Sequence, residues 1–241
     1  MTARLRMFAG PNGSGKSTVK SIINPWLLDL YLNPDEIEKQ VLTQGIYDVR
    51  PLTISLNSKD IIQFFQQHPL SHRTALYDQI ENIHLIDNQV VDFKGTGFNS
   101  YFSAILTDFL RYKLLESKQS FTFETVMSSP DKVKTLERAR LAGYRNYLYY
   151  VATDSPSINL TRIQQRVRSG GHNVPDDKVV ERYHRSLSLL FEAIKQTDRA
   201  YIFDNSGGKA IWIAEITNGT LIDLKVDEPP QWFVQAVLNK L

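Results

Sequence analysis

The chain has 241 residues, enough to bury a sizeable core as one large domain or as a domain with a substantial insertion. Its 28 Lys and Arg against 26 Asp and Glu leave a formal charge of +2, which argues against an extended nucleic-acid footprint and confines any anion site to a local pocket. The absence of cysteine excludes disulfides, thiolate zinc sites and cysteine nucleophiles, and with no signal-like N-terminus and no long apolar run the expectation is a cytoplasmic protein that does not enter a membrane.

Leu5-Arg6-Met7-Phe8-Ala9 is a short apolar run that suits a buried parallel strand. It leads into Gly10-Pro11-Asn12-Gly13-Ser14-Gly15-Lys16-Ser17-Thr18, which fits the phosphate-binding loop pattern of glycine, four residues, glycine, lysine and serine. Glycines let successive backbone N–H groups turn inward around a phosphate, a lysine at this spacing reaches the β- and γ-phosphates, and the following hydroxyl can hold Mg²⁺. Val19, Ile22 and Ile23 then recur at helical spacing, completing a strand, loop and helix order. The expectation is a nucleoside triphosphate, ATP above all, held with Mg²⁺ by residues 10 to 18, with Ser17 as the metal-binding hydroxyl.

Asp29 to Leu32 predicts a second strand, and Asn33-Pro34-Asp35-Glu36 predicts a helix start with Asp35 just beyond the strand's carboxyl end. A carboxylate there can accept a proton from a substrate hydroxyl or coordinate Mg²⁺. Residues 46–97 break the pattern and predict an inserted lobe. Asn57-Ser58 caps a helix carrying Ile61, Ile62, Phe64 and Phe65, and Val90 to Phe93 resembles a strand. The charged residues of this lobe are mostly acidic, so it offers no phosphate-binding patch, and His68, His72 and His84 lack metal spacing.

A helix from Ser100 to about Ser117, a strand at Phe121 to Glu124, a helix over 130–142 stopped by Gly143, and a strand at Tyr147 to Val151 follow in turn. This alternation predicts an α/β fold, a doubly wound and mainly parallel sheet. Glu124 and Thr125, at a strand's carboxyl end, are candidates to contact the substrate. The next helix begins at Asp154-Ser155-Pro156 and carries Arg162, Arg166 and Arg168 up to Gly170-Gly171. A polar loop then runs through His172 and Pro175, and Arg182 and Arg185 lie on the helix over 176–196. Arginines on both sides of a glycine-containing loop predict a lid, residues 166–175, that closes over triphosphate, where guanidinium groups make bidentate contacts to oxygen. A strand at Ala200 to Phe203 and a hairpin of Ile211 to Ile216 with Thr220 to Leu224, turned at Asn218-Gly219, give the sheet antiparallel strands at its end.

The ordered segments AGPNGSGKST (9–18), NPDEI (33–37), FTFETVMS (121–128), RARLAGYR (138–145), RVRSGGHNVPDDKVVERYHRS (166–186) and YIFDNSG (201–207) resemble the zeta toxin family of phosphate-loop kinases. The resemblance implies a single kinase-like domain over 1–241 with the inserted lobe and lid named above. It also implies transfer of phosphate from ATP to a sugar hydroxyl of UDP-N-acetylglucosamine, and a small antitoxin as inhibitory partner. By position, Lys16 and Ser17 match the phosphate and Mg²⁺ groups, Asp35 the catalytic base, Glu124 and Thr125 a substrate-contacting strand end, and Arg166 a triphosphate-binding arginine. Where the toxins place a second lid arginine this sequence has His172, so Arg168, Arg182 or Arg185 is expected to substitute. The leading expectation is therefore an ATP-dependent kinase acting on a small-molecule hydroxyl, with the acceptor open. The alternative is a nucleotide-dependent switch or ATPase whose insertion engages a protein partner. A polynucleotide kinase is disfavoured by the lack of a broad basic face.

Overall fold

Five of the six residues of the first strand, Arg4–Ala9, are buried, because this strand has parallel neighbours on both edges and helices over its faces. The computed structural model describes residues 2–73, 77–170 and 174–240. In chain order the main elements are β1 (Arg4–Ala9), α1 (Lys16–Ile22), β2 (Leu30–Leu32), α2 (Pro34–Gln44), β3 (Ile46–Asp48), α3 (Ser58–Gln67), β4 (His84–Ile86), β5 (Val90–Asp92) and α4 (Ser100–Glu116). They continue with β6 (Phe121–Thr125), α5 (Pro130–Leu141), β7 (Arg145–Ala152), α6 (Pro156–Arg168), α7 (Asp176–Ile194), β8 (Arg199–Asp204), β9 (Ile211–Thr217), β10 (Leu221–Leu224) and α8 (Gln231–Ala236).

The chain divides into two units: Met1–Asp29 with Ser120–Leu241, and Leu30–Gln119. In the first unit the strand order is β10-β9-β8-β7-β1-β6. β6, β1, β7 and β8 run parallel, so their carboxyl ends share one edge, while β9 and β10 run antiparallel as the closing hairpin, as expected. Asn218 and Gly219 both have positive φ, 52° and 73°, the geometry of the tight turn that matches strand twist. On one face Phe8, Tyr149 and Tyr201 stack across β1, β7 and β8 with ring centroids 4.7 and 5.0 Å apart, so the aromatic run of β7 is sheet core. Arg6, buried in β1, donates to Asp29 at 2.6 Å. Asp29 has a left-handed φ of 50° and lies before the strand that the sequence began with it.

The second unit holds a three-stranded antiparallel sheet in the order β3-β5-β4, which the sequence reading did not anticipate. Its β4–β5 hairpin turns on Asp87 and Asn88, whose φ values of 50° and 58° are tolerated by these short polar side chains. α3 is capped by Asn57, whose side-chain oxygen accepts the Lys59 N–H at 2.8 Å. It buries Ile61 and Phe65, and Phe65 joins Phe93, Phe98 and Phe102 in one aromatic cluster. Residues 46–97 lie inside this unit, together with α2 and α4. His68 bonds Asp108 at 3.3 Å, and Asp108 also pairs with the buried Arg111. Among the described residues, no helix is long and apolar enough to cross a membrane, and no group of three or more His, Asp or Glu could hold a metal ion.

Candidate functional site

The glycine loop leaves the carboxyl end of the central strand β1 and returns as α1, so it lies at the edge where open α/β sheets bind ligands. The approach is close enough to demand glycine. A Cβ on Gly10, whose φ is 144°, would lie 2.0 Å from the Val151 carbonyl oxygen. Inside the loop the Ser14 N–H donates to the Pro11 carbonyl at 3.2 Å, and the Thr18 and Val19 N–H groups both donate to the Gly15 carbonyl. Among the described residues, no side chain caps the start of α1. Ser14 Oγ and Asn12 Oδ1 are buried with no hydrogen-bond partner in the described structure.

Lys16 is mostly buried and its ammonium is turned onto the loop, donating to the carbonyls of Gly10 at 2.9 Å and Pro11 at 3.2 Å. Glu124, at the carboxyl end of β6, brings Oε1 to 3.9 Å from the same nitrogen. Parallel pairing places Phe8 opposite Glu124 and Ala9 opposite Thr125, so the register of β1 and β6 delivers that carboxylate to the loop. Thr125 Oγ1 accepts the Met127 N–H at 3.0 Å, and Met127, fully buried, has a left-handed φ of 53°. Such a backbone state costs about 1–3 kcal/mol in a bulky residue and persists where the surroundings fix it. Here the Thr125 hydroxyl and the Ser186 hydroxyl, which donates to the Val126 carbonyl at 2.8 Å, hold the turn.

The arginines divide. Arg162 donates to the Gly207 carbonyl at 3.1 Å and so connects α6 to the segment after β8, while its second terminal nitrogen is buried without a partner in the described structure. Arg166 and Arg168 are exposed in the last turn of α6. Arg185 pairs with Glu181 on its own helix at 3.1 Å, and Arg182, half-buried, is on the same helix. His172 and the centre of the expected lid lie outside the described residues. Ser17 and Thr18 are exposed on the first turn of α1. Asp35 belongs to the second unit, where it is exposed in the first turn of α2 and its N–H is capped by Asn33 at 2.9 Å.

Two loop-bracing residues escaped the sequence reading. Asn159 Nδ2 donates to the Asn12 carbonyl at 2.6 Å, and Asn205 Nδ2 donates to the Ser14 carbonyl at 2.8 Å. The signal available was position alone: Asn205 immediately follows a buried strand, and Asn159 lies in the first turn of the helix that follows another.

A glycine loop between a central parallel strand and a helix, with a buried lysine turned onto it, defines an α/β protein of the phosphate-loop class. Residues 96–217 match the family described as zeta toxin, more than half of the chain, and the protein belongs to the zeta toxin family. An uncharacterized protein of Haemophilus influenzae is 35% identical over 63 residues, 26% of this chain and 45% of that protein. Among solved structures, the AvrRxo1-ORF1:AvrRxo1-ORF2 complex with sulphate ions contains a chain matched over 93% of this one at 14% identity and a TM-score of 0.54. The complex of the same pair with ATP gives 15% identity, the same coverage and the same TM-score. The present chain spans 61% of the matched AvrRxo1 chain, so it covers less than two thirds of either relative.

Proposed function

We propose that the protein is an ATP- and Mg²⁺-dependent kinase that phosphorylates a hydroxyl of a small molecule, with a sugar nucleotide of the UDP-N-acetylglucosamine type as the candidate acceptor. The observation that carries this reading is the Lys16 ammonium, held by two loop carbonyls beside Glu124 at the end of β6. A cation anchored there is chemically suited to triphosphate oxygens, and family membership and the likeness to an ATP complex support the same donor. Ser17 is the residue that would hold Mg²⁺ alongside phosphate oxygens, and the ion would neutralise charge on the phosphates.

In the proposed reaction the acceptor oxygen bonds to the γ-phosphorus, the bond to the β–γ bridging oxygen breaks, ADP leaves, and the hydroxyl proton passes to Asp35. Glu124 and Thr125 orient the acceptor. Arg166, with Arg168, His172, Arg182 or Arg185, neutralises the transferring group as residues 166–175 close. An antitoxin protein as inhibitory partner is part of the proposal. It is supported by the family and by the AvrRxo1 assemblies, which are complexes of two proteins. The experiment is incubation with ATP, Mg²⁺ and a bacterial metabolite extract, followed by a mass scan for products gained. A product heavier by one phosphoryl group supports the reading, and ATP binding without any such product refutes the kinase assignment.

A further inference from the structure

Asn205, in the segment YIFDNSG, has no part in the proposed chemistry. Asn205 is 7% exposed and Asn159 is fully buried, so neither carboxamide serves solubility. Both spend an N–H on a loop carbonyl, Asn205 on Ser14 and Asn159 on Asn12. A trans peptide is planar, with its C=O and the next N–H pointing in opposite directions, and the described residues contain no cis bond. Pulling the Ser14 carbonyl toward Asn205 therefore turns the Gly15 N–H to the other face of the loop. Pulling the Asn12 carbonyl toward Asn159 does the same to the Gly13 N–H.

We propose that Asn205 and Asn159 are positioning residues that set the direction of the Gly15 and Gly13 N–H groups, so that the loop receives a polyphosphate without reorganising. This rests on the nucleotide reading given above. Each carboxamide is itself fixed. The Asn205 N–H donates to the Ala152 carbonyl at 2.8 Å, and a Cβ on Gly15 would meet Asn205 Nδ2 at 2.0 Å, so that amide lies directly against the loop. The turn that carries Asn205 is fastened through Asp204, which accepts from Trp232 Nε1 at 2.8 Å, the Ser206 N–H at 3.0 Å and the Ser206 hydroxyl at 2.8 Å. Asn159 accepts the Thr153 hydroxyl on Oδ1, which leaves its nitrogen as the group facing Asn12. Only a short side chain with an N–H donor satisfies these positions. An aspartate has acceptors alone and would face a carbonyl with a like partial charge.

The test compares the wild type with Asn205→Ala, Asn205→Asp and Asn159→Ala. ATP and inorganic tripolyphosphate, a probe without a base, are titrated by calorimetry. Hydrogen exchange of the peptide covering residues 10–18 is measured without ligand. Loss of one neutral hydrogen bond predicts about tenfold weaker binding of both probes by Asn205→Ala, and Asn205→Asp is expected to lose about tenfold more. Exchange in residues 10–18 should quicken while peptides of β1 and β7 stay protected, which a general loss of stability would not produce. Ile216→Val, a buried change in β9 opposite Ala200 at the amino end of β8 and so away from the edge that carries the loop, serves as the control and should leave tripolyphosphate affinity unchanged. Unchanged affinity and exchange in Asn205→Ala overturn the proposal, as does quickened exchange throughout the sheet. If the wild type binds neither probe, the nucleotide reading fails. The exchange arm then still decides whether the carboxamides order the loop. Should Asn159→Ala fail to fold, the two Asn205 variants carry the test.

Discussion

Replacing Lys16 by methionine keeps the apolar stem and removes the charge, so it separates anion binding from packing. The ammonium donates to the loop carbonyls of Gly10 and Pro11, at 2.9 and 3.2 Å. These bonds are charge-assisted, but removing the ammonium also relieves the cost of burying it, so the net loss should be about 1–2 kcal/mol of stability, a fall of roughly 2–8 °C in Tm for a chain of this size. ATP binding should suffer far more. Two charge-assisted contacts to phosphate oxygens, at about 1.5–3 kcal/mol each, predict a loss of roughly 10²–10⁴ in affinity. Glu124 adds to this, because its Oε1 stands 3.9 Å from the position the cation vacates and then faces phosphate uncompensated. Unit charges about 4 Å apart interact by about 1 kcal/mol in water and about 4 kcal/mol at an effective permittivity of 20. The double variant Lys16→Met, Glu124→Gln should therefore regain about tenfold in affinity, the lower part of that range. Calorimetric titration of ATP, beside thermal melts of each variant, is the assay. An affinity for Lys16→Met within threefold of the wild type would refute the assignment of the loop. A double variant no tighter than the single one would refute the role given to Glu124.

Asp35→Asn should keep ATP affinity and lower acceptor turnover by roughly 10²–10⁴, the contribution of a positioned general base, read in a coupled ADP-release assay with the identified acceptor. Gly10→Ala should destabilise the fold by at least about 2 kcal/mol, because its Cβ would lie 2.0 Å from the Val151 carbonyl oxygen, and urea unfolding would show this as a lower midpoint. Tyr150 is fully buried, and desolvation raises its phenol well above the usual range. The folded state therefore keeps a proton that the unfolded state loses above about pH 10, and stability falls with rising pH by about 1.4 kcal/mol per unit from this group. Tyr150→Phe should remove that slope between pH 10 and 11 in urea titrations, although it also gives up the hydrogen bond to Ser186.

The sequence by itself determined the loop and most of the sheet. Both rest on short-range physics: glycines where the backbone crowds Val151, apolar runs for strands buried on both faces, and Asn-Gly for the closing turn. It also pointed to Lys16, Glu124 and Asp35, since a charged side chain at the end of an apolar strand or in the first turn after one is visible in one dimension. The three-stranded sheet of the second unit was not legible. β3, β4 and β5 have three residues each, too few to show alternation, and the β4–β5 turn uses Asp-Asn in place of a glycine pair. Nor could spacing show that Arg185 binds Glu181 on its own helix while Arg162 reaches Gly207. Only the tertiary structure decided what holds the loop. Asn159 and Asn205 are 147 and 191 residues from the carbonyls they meet, brought there because β7 and β8 run parallel to β1 and end at the same edge.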